Sequence, residues 1–164
     1  MKTILKVVLS ALLLVLANKL AFAQDRGGNV SEAIALVKKA VDYVKTHGRE
    51  KAFAEFKNPS GPFRDRALFL VVYDIKGTKL AHGVNQKMIG KNNLELKDID
   101  GKYIVKDFID IATGKGKGWV DYKWPNPMTG AIEPKSTYIE RFEDIIIGCG
   151  IYPGFFSVGK VHPD

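Results

Sequence analysis

The chain has 164 residues, of which 46% are hydrophobic and 26% are charged. This length allows one domain on the usual scale of about 100–200 residues per domain, and the composition excludes a disordered chain, a collagen-like repeat and a protein with several membrane spans. The formal net charge of +7 raises the question of nucleic-acid binding, and the single cysteine excludes an internal disulfide or a CxxC metal site.

The first 23 residues have the features of a secretory signal peptide. Lys2 and Lys6 precede an apolar run over residues 7–17, and Ala21 and Ala23 place small residues at the −3 and −1 positions of a cleavage site. A helix needs about 20 apolar residues to cross a bilayer, so this run is too short to span one. The sequence predicts a periplasmic or secreted mature chain, residues 24–164, with no membrane span after signal cleavage. An uncleaved anchor is the alternative.

Removal of the signal peptide changes the charge argument. Residues 1–23 contain three lysines and no acidic residue, so the basic excess falls from +7 to +4. The remaining positive charge is dispersed along the chain, whereas a nucleic-acid surface needs clustered basic residues. We therefore predict no nucleic-acid partner.

The mature chain begins with a long amphipathic helix. Asn29 starts a capping box, and apolar residues recur at spacings of three and four from Val30 to Val44. Gly48 is a suitable C-terminal end, and the pattern resumes weakly over residues 52–56.

Five strands and a second helix are predicted after this helical part. The strands are residues 67–74, 79–83, 119–124, 136–142 and 145–152, and a helical spacing covers residues 103–112. This order predicts an α+β fold with a five-stranded antiparallel sheet and the long N-terminal helix packed on one face. The second helix is an insert between the second and third strands, in a connection long enough to suggest a functional role.

The ends of two predicted strands contain candidate ligand-binding residues. Tyr122 and Trp124 end the third strand, while Lys135 and Tyr138 lie at the start of the fourth, and antiparallel pairing would place these ends together. An ammonium group beside phenol hydroxyls and an indole face suits a small carboxylate. The alternative is a surface lysine beside ordinary sheet aromatics. His82, before the long insert, is either a further ligand contact or a structural hydrogen-bonding histidine.

The sequence contains no pattern that favours catalysis. Cys149 lies in an apolar strand with no histidine partner in sequence, which indicates a small buried residue. No HExxH motif, no Ser/His/Asp order and no pair of helical carboxylates is present. We predict a protein that is not an enzyme, because only His82 could begin an acid–base pair and it has no partner nearby in sequence. We also predict no cofactor and no metal.

Several segments, taken in order, resemble the single Cache domain, type 2. They are FLVVYDIKGTKLAH (residues 69–82), MIGKN (88–92), KDIDGK (97–102), GWVDYKWPNP (118–127), PKSTY (134–138) and IGCGIY (147–152). Residues 44–53 also resemble the long helix of that family. Each piece alone is weakly specific, but the ordered set is strongly specific and covers residues 30–152.

The resemblance implies a PAS-like extracytoplasmic sensor fold that binds a small organic acid, such as acetate, propionate or pyruvate, between the sheet and the insert. The implied pocket positions are His82, Tyr122, Trp124, Lys135 and Tyr138, with Tyr73 as a weaker candidate. Such domains usually belong to chemoreceptors and sensor kinases. Because the chain ends soon after the last strand, we expect a stand-alone exported domain that acts through a membrane-bound receptor or sensor kinase. A ligand-free module that docks on such a partner is the alternative.

Overall fold

The computed structural model describes residues 27–153, so the predicted signal peptide lies outside the described part of the chain. The helices, in chain order, are α1 (Val30–His47), α2 (Arg49–Phe56), a short 3-10 helix (Gln86–Met88) and α3 (Ile104–Gly114). The strands, in chain order, are β1 (Arg64–Asp65), β2 (Leu68–Asp74), β3 (Lys79–His82), β4 (Lys117–Pro125), β5 (Ile132–Phe142) and β6 (Ile145–Ile151).

The strands form one antiparallel sheet. Its main strands lie in the order β3-β2-β6-β5-β4, and the two-residue β1 also pairs with β2. The predicted α+β class and the five-stranded antiparallel sheet are therefore confirmed. The pairing of β2 with β6 joins the first and last long strands and places β6 at the centre of the sheet.

Helix α1 forms where the apolar spacing predicts it. The side chain of Asn29 accepts a hydrogen bond from the backbone N–H of Glu32, whose carboxylate accepts one from the Asn29 N–H, which completes the capping box. Gly48 ends the helix with a φ of 77°, a conformation that favours glycine. Within residues 27–153, no helix combines the length and the apolar character that a membrane crossing requires.

The two faces of the sheet are covered by different helices. On β2, Leu68, Leu70 and Val72 point into a core with the buried side of α1, whereas Val71 and Tyr73 point into a second core with α3. This division follows from the alternation of side chains along a strand. The sheet is therefore the middle layer of three, and α3 belongs to the insert that covers the second face.

A turn that contains Asp98 ties the insert to β4. One carboxylate oxygen of Asp98 accepts hydrogen bonds from the backbone N–H groups of Asp100 and Lys102. The other oxygen accepts one from the backbone N–H of Lys123 in β4, at 3.0 Å. These bonds fix the start of α3 over the second face of the sheet.

Strand β5 begins at Ile132, four residues before the predicted start, although Pro134 lies within it. Pro134 pairs with Lys123 of β4, but pairing of β5 with β6 begins only at Ser136. A proline lacks a backbone N–H, and it is tolerated here because β5 has one neighbouring strand at this point. The connection between β4 and β5 therefore covers only residues 126–131.

Truncation of a side chain in the core on the α1 side should destabilise the domain. Ile147 in β6 is fully buried, so Ile147→Ala should lower the free energy of unfolding by about 2–5 kcal/mol through lost burial and the cavity left behind. Ile132→Ala is the matched control, because Ile132 is 53% exposed and its truncation should cost under about 0.5 kcal/mol. Urea denaturation measures both values, and equal losses would contradict this arrangement.

Candidate functional site

A cavity lies between the second face of the sheet and the insert. The enclosed free space is about 20 Å³, and the space between the lining residues is about 340 Å³ when the open mouth is included. Leu96, Ile104 and Phe108 of the insert form one side of it. Five of the six predicted residues line the cavity, namely Tyr73, His82, Tyr122, Trp124 and Lys135.

Tyr138, the sixth predicted residue, lies on the opposite face of the sheet. Its ring belongs to the core with α1, and its hydroxyl donates a hydrogen bond of 2.6 Å to Glu140. Lys135 and Tyr138 are three positions apart in β5. Because successive side chains of a strand alternate between its faces, the two point to opposite faces. The expectation that Tyr138 shares a site with Lys135 was wrong for this reason.

Lys135 reaches into the cavity by crossing the central strand. It pairs with Tyr122 of β4, as predicted, but its ammonium lies 4.7 Å from the ring centroid of Phe69 on β2 and 4.7 Å from that of Tyr152. Strand β6 lies between β5 and β2, and the residue beneath the lysine is Gly150. A Cβ atom at Gly150 would overlap Cε of Lys135. The glycine therefore makes room for the lysine.

The charge of Lys135 has no counter-charge among the residues that the structure describes. The residue is 4% exposed, and no carboxylate of residues 27–153 forms an ion pair with it. Burial lowers the pKa of this lysine to about 8, because the charged form loses its hydration. The two aromatic faces compensate this loss only in part.

His82 is held in one tautomer. Its Nδ1 accepts hydrogen bonds from the backbone N–H groups of Val84 and Asn85, at 3.1 and 3.0 Å. Burial, with the charges of Lys79 and Lys135, lowers the pKa of His82 to about 3, so the ring is neutral at pH 7. Because Nδ1 is the acceptor, the ring proton lies on Nε2, and the histidine can donate one hydrogen bond from that atom.

Aromatic side chains form most of the remaining wall. Phe108 of α3 packs edge-on against Tyr73 and Tyr122, with ring centroids 6.0 and 6.1 Å apart, and Trp124 packs edge-on against Tyr122. The Tyr122 hydroxyl forms a hydrogen bond of 2.9 Å with the Thr137 hydroxyl. Burial raises the pKa of Tyr73 and of Tyr122, so both hydroxyls stay protonated. The Tyr73 hydroxyl makes no hydrogen bond within residues 27–153.

A second buried lysine lines the cavity, and the sequence did not single it out. Lys79 pairs with Tyr73, and His82 pairs with Val71, so both β3 residues face the cavity. On a regular strand, two residues three positions apart, such as Lys79 and His82, would face opposite sides of the sheet. The register shifts between these pairs, and Leu80 is the extra residue of a bulge. The only signal in the sequence is a lysine at the start of a short apolar strand.

Lys79 resembles Lys135 in its surroundings. The residue is 2% exposed, its ammonium lies 4.8 Å from the Tyr73 ring centroid, and it donates a hydrogen bond to the Met88 sulfur at 3.7 Å. Burial, and after it the charge of Lys135, lowers the pKa of Lys79 to about 7. No carboxylate among residues 27–153 pairs with this lysine either.

These features suit an anion. The cavity presents two ammonium groups, a histidine N–H donor and a tyrosine hydroxyl against apolar walls. Cationic side chains repel a metal ion, and residues 27–153 contain no cluster of three or more histidine, cysteine or acidic residues that could bind one.

Two curated proteins are similar to part of this chain. The sensor histidine kinase MctS of Rhizobium johnstonii is 33% identical over 87 residues, which cover 51% of this chain and 18% of the kinase. The methyl-accepting chemotaxis protein McpP of Pseudomonas putida is 32% identical over 85 residues, which cover 49% of this chain and 15% of the receptor. The chain thus matches less than a fifth of the length of either relative.

Solved structures share the fold. A methyl-accepting chemotaxis protein from Vibrio parahaemolyticus matches with a TM-score of 0.64 and 23% identity, over 82% of this chain and 92% of the other. A Cache chemosensory domain studied for carboxylic acid recognition matches with a TM-score of 0.63 and 24% identity, over 76% of this chain and 92% of the other. At this level of identity the likeness establishes the fold alone.

The family assignment rests on a match to most of the chain. The model of the family described as Single Cache domain 2 matches residues 23–157. The antiparallel sheet with its long N-terminal helix agrees with the solved Cache domains. The chain therefore belongs to the Single Cache domain 2 family of sensory ligand-binding domains, and it is homologous to the sensor domains of chemotaxis receptors and sensor kinases.

Proposed function

We propose that this domain senses a small organic acid, of the size of acetate, propionate or pyruvate, which binds in the cavity between the sheet and the insert. The observation that carries the proposal is the buried ammonium of Lys135, which has no carboxylate partner among residues 27–153. An unpaired buried charge costs several kcal/mol. A bound carboxylate supplies the missing counter-charge.

The other cavity groups complete a carboxylate site. His82 offers an N–H from Nε2, and Tyr73 offers a hydroxyl that burial keeps protonated. Hydrogen bonds from such donors to a charged oxygen are shorter and stronger than those between neutral groups. Trp124 and Phe108 would cover the hydrocarbon part of the ligand. The small enclosed space favours a short acid over a long one.

The relatives support a signalling role. The matched parts belong to a sensor kinase and a chemotaxis receptor, and one similar solved Cache domain is described as recognising carboxylic acids. On this basis the ligand state of the domain is passed to a membrane-bound receptor or sensor kinase. The proposal places the domain outside the cytoplasm, in agreement with the signal peptide expected from residues 1–23.

Calorimetry tests the proposal directly. The mature protein is unfolded and refolded to remove any bound ligand, and acetate, propionate and pyruvate are then titrated separately. Saturable binding of one acid per domain is expected. The absence of binding for all three acids would overturn the proposal and would favour the ligand-free docking module.

Replacing Lys135 should separate ligand binding from folding. Lys135→Met keeps a long side chain but removes the charge, so the affinity for the bound acid should fall by at least about 2 kcal/mol, roughly 30-fold. The ligand-free variant should be as stable as the wild type or more stable, because an unpaired buried charge is gone. Calorimetry and thermal unfolding measure the two effects. Unchanged affinity would remove Lys135 from the site.

Gly150 should be needed for the same site. In Gly150→Ala the new methyl group would displace Lys135, so acid binding should weaken by at least about tenfold. Gly148→Ala is the matched control, because it lies on the same strand and face but its Cβ would meet Ile139 at 3.0 Å and not the lysine. Titration of both folded variants with the same acid decides the point. Equal effects would show that binding does not depend on the path of Lys135.

Acid binding should weaken as the pH rises through about 8, the pKa to which burial lowers Lys135. Above this pH the lysine must gain a proton before it can pair with the ligand, so the association constant should fall by up to about tenfold per pH unit. Lys79, with a pKa lowered to about 7, acts in the same direction. Calorimetry between about pH 6 and pH 9.5 measures the trend, and an affinity independent of pH would contradict it.

The stability of the ligand-free protein should change in the opposite direction. Both lysines have a folded pKa below the unfolded value of 10.5, so the unfolded chain binds more protons between these values. The free-energy cost of burying the two protonated lysines is complete below about pH 7 and disappears as the pH rises toward about 10.5. The free energy of unfolding should therefore rise in this window. Thermal unfolding of the ligand-free protein provides this internal control.

A further inference from the structure

Two buried amines share the cavity, and their charges act on the same space. Lys79 is 2% exposed and Lys135 is 4% exposed, and neither forms an ion pair with a carboxylate of residues 27–153. After burial, the charges of both lysines lower the pKa of His82, which lines the cavity with them. Two like charges in one enclosed space disfavour each other's charged form. The cavity therefore favours a state in which one of the two lysines is a neutral amine.

The contacts of the two lysines indicate which of them is neutral. The Lys135 nitrogen lies 4.7 Å from each of two ring centroids, those of Phe69 and Tyr152, whereas Lys79 lies 4.8 Å from the single ring of Tyr73. Because cation–π contacts favour the charged form, Lys135 keeps its proton more readily. Burial, and after it the charge of Lys135, lowers the pKa of Lys79 to about 7, and burial lowers that of Lys135 to about 8. Lys79 is therefore the lysine that loses its proton first.

The surroundings of Lys79 favour its reaction with a small electrophile. A lysine that is desolvated in a pocket beside another cation is a nucleophile, because its nitrogen lone pair is free to react. The enclosed free space is about 20 Å³, which is enough for a molecule of only a few atoms. Leu96, Ile104 and Phe108 of the insert line this space with hydrocarbon surface. Carbon dioxide is small, apolar and electrophilic, and it therefore suits both the space and the amine.

The cavity also suits the product of that reaction. Addition of CO₂ to an amine gives a carbamate, which has one negative charge and two acceptor oxygens. His82 has an N–H at Nε2, the Tyr73 hydroxyl makes no hydrogen bond within residues 27–153, and Lys135 has an unpaired ammonium. These groups are hydrogen-bond donors, and buried donors need acceptors. An imine formed from an aldehyde would bring neither the negative charge nor the two oxygens.

We infer that Lys79 is a modification site for dissolved CO₂, and that the carbamate formed on its Nζ atom supplies a counter-charge to the buried ammonium of Lys135. The Nζ lone pair forms a C–N bond to the carbon of CO₂, one C–O π bond breaks as its electron pair moves to oxygen, and Nζ releases one proton to water. No oxidant, reductant or metal takes part. This inference goes beyond the proposed function, because it gives the cavity a second, covalent input that does not depend on the binding of an acid.

Chemical trapping tests the inference on the wild-type protein. The refolded domain is equilibrated with bicarbonate buffer at about pH 7.5, which supplies dissolved CO₂, and is treated with triethyloxonium ion, which ethylates a carbamate and prevents the loss of CO₂. Peptide mass spectrometry then locates the ethoxycarbonyl groups and separates Lys79 from the α-amino group of the chain. Lys79 should be modified in at least about a tenfold larger fraction than Lys38, an exposed lysine of α1 outside the cavity. Equal modification of the two lysines would overturn the inference.

Variants assign the two lysines their separate parts. With ¹³C-labelled bicarbonate, the wild type should show a carbamate resonance that Lys79→Arg lacks, because a guanidinium stays protonated and does not react. Lys38→Met is the control and should retain this resonance. In Lys135→Met the trapped fraction at Lys79 should fall by at least about tenfold, because the counter-charge of the carbamate is lost. Thermal unfolding checks that each variant is folded, and full trapping in folded Lys135→Met would contradict the pairing of the carbamate with Lys135.

The outcomes separate the inference from the proposed function, which is tested by calorimetry in buffer free of CO₂. If an acid binds and no carbamate is trapped at Lys79, the inference is wrong and the proposed function stands. If bicarbonate buffer lowers the affinity for the acid without a trapped carbamate, bicarbonate competes without a covalent bond, and the inference is again wrong. If the carbamate is trapped and no acid binds, the inference is supported and the proposed function is wrong.

Discussion

The burial of positive charge on one face of the sheet is the constraint on which this structure depends. Lys79 and Lys135 are almost fully enclosed, and both ammonium groups lie against aromatic rings with no carboxylate partner among residues 27–153. A folded protein keeps such groups at a cost in free energy. The insert, α3 and the aromatic residues of β4 all enclose the space beside these charges, and this arrangement is the basis of the acid-binding site proposed above.

The alternation of side chains allows one sheet to stabilise the fold and to form this site. The face that packs on α1 is continuous and apolar, and it includes the fully buried Ile147. The opposite face of β6 contains Gly148 and Gly150, where the absence of side chains leaves room for residues of β5. The destabilising charges are thus separated by one layer of backbone from the core that stabilises the domain.

The sequence allowed a correct prediction of most elements, and five of the six candidate site residues line one cavity. The α1 helix was predictable because capping and apolar spacing are local signals, and antiparallel pairing of consecutive strands was enough to place Tyr122 close to Lys135. Tyr138 lies on the face opposite to Lys135 because the two are three positions apart on β5, where successive side chains alternate between the faces. Lys79 was not found because the bulge in β3 reverses the expected direction of its side chain.

The sequence by itself determined the helices, the strands, the family and five of the residues that line the cavity, because these depend on local spacing or on ordered motifs. Only the tertiary structure decided that β6 lies between β2 and β5, and so that Lys135 crosses Gly150 to reach Phe69. It also decided that no acidic side chain among residues 27–153 pairs with either buried lysine. Both facts depend on contacts between residues far apart in the chain, which spacing along the sequence does not encode.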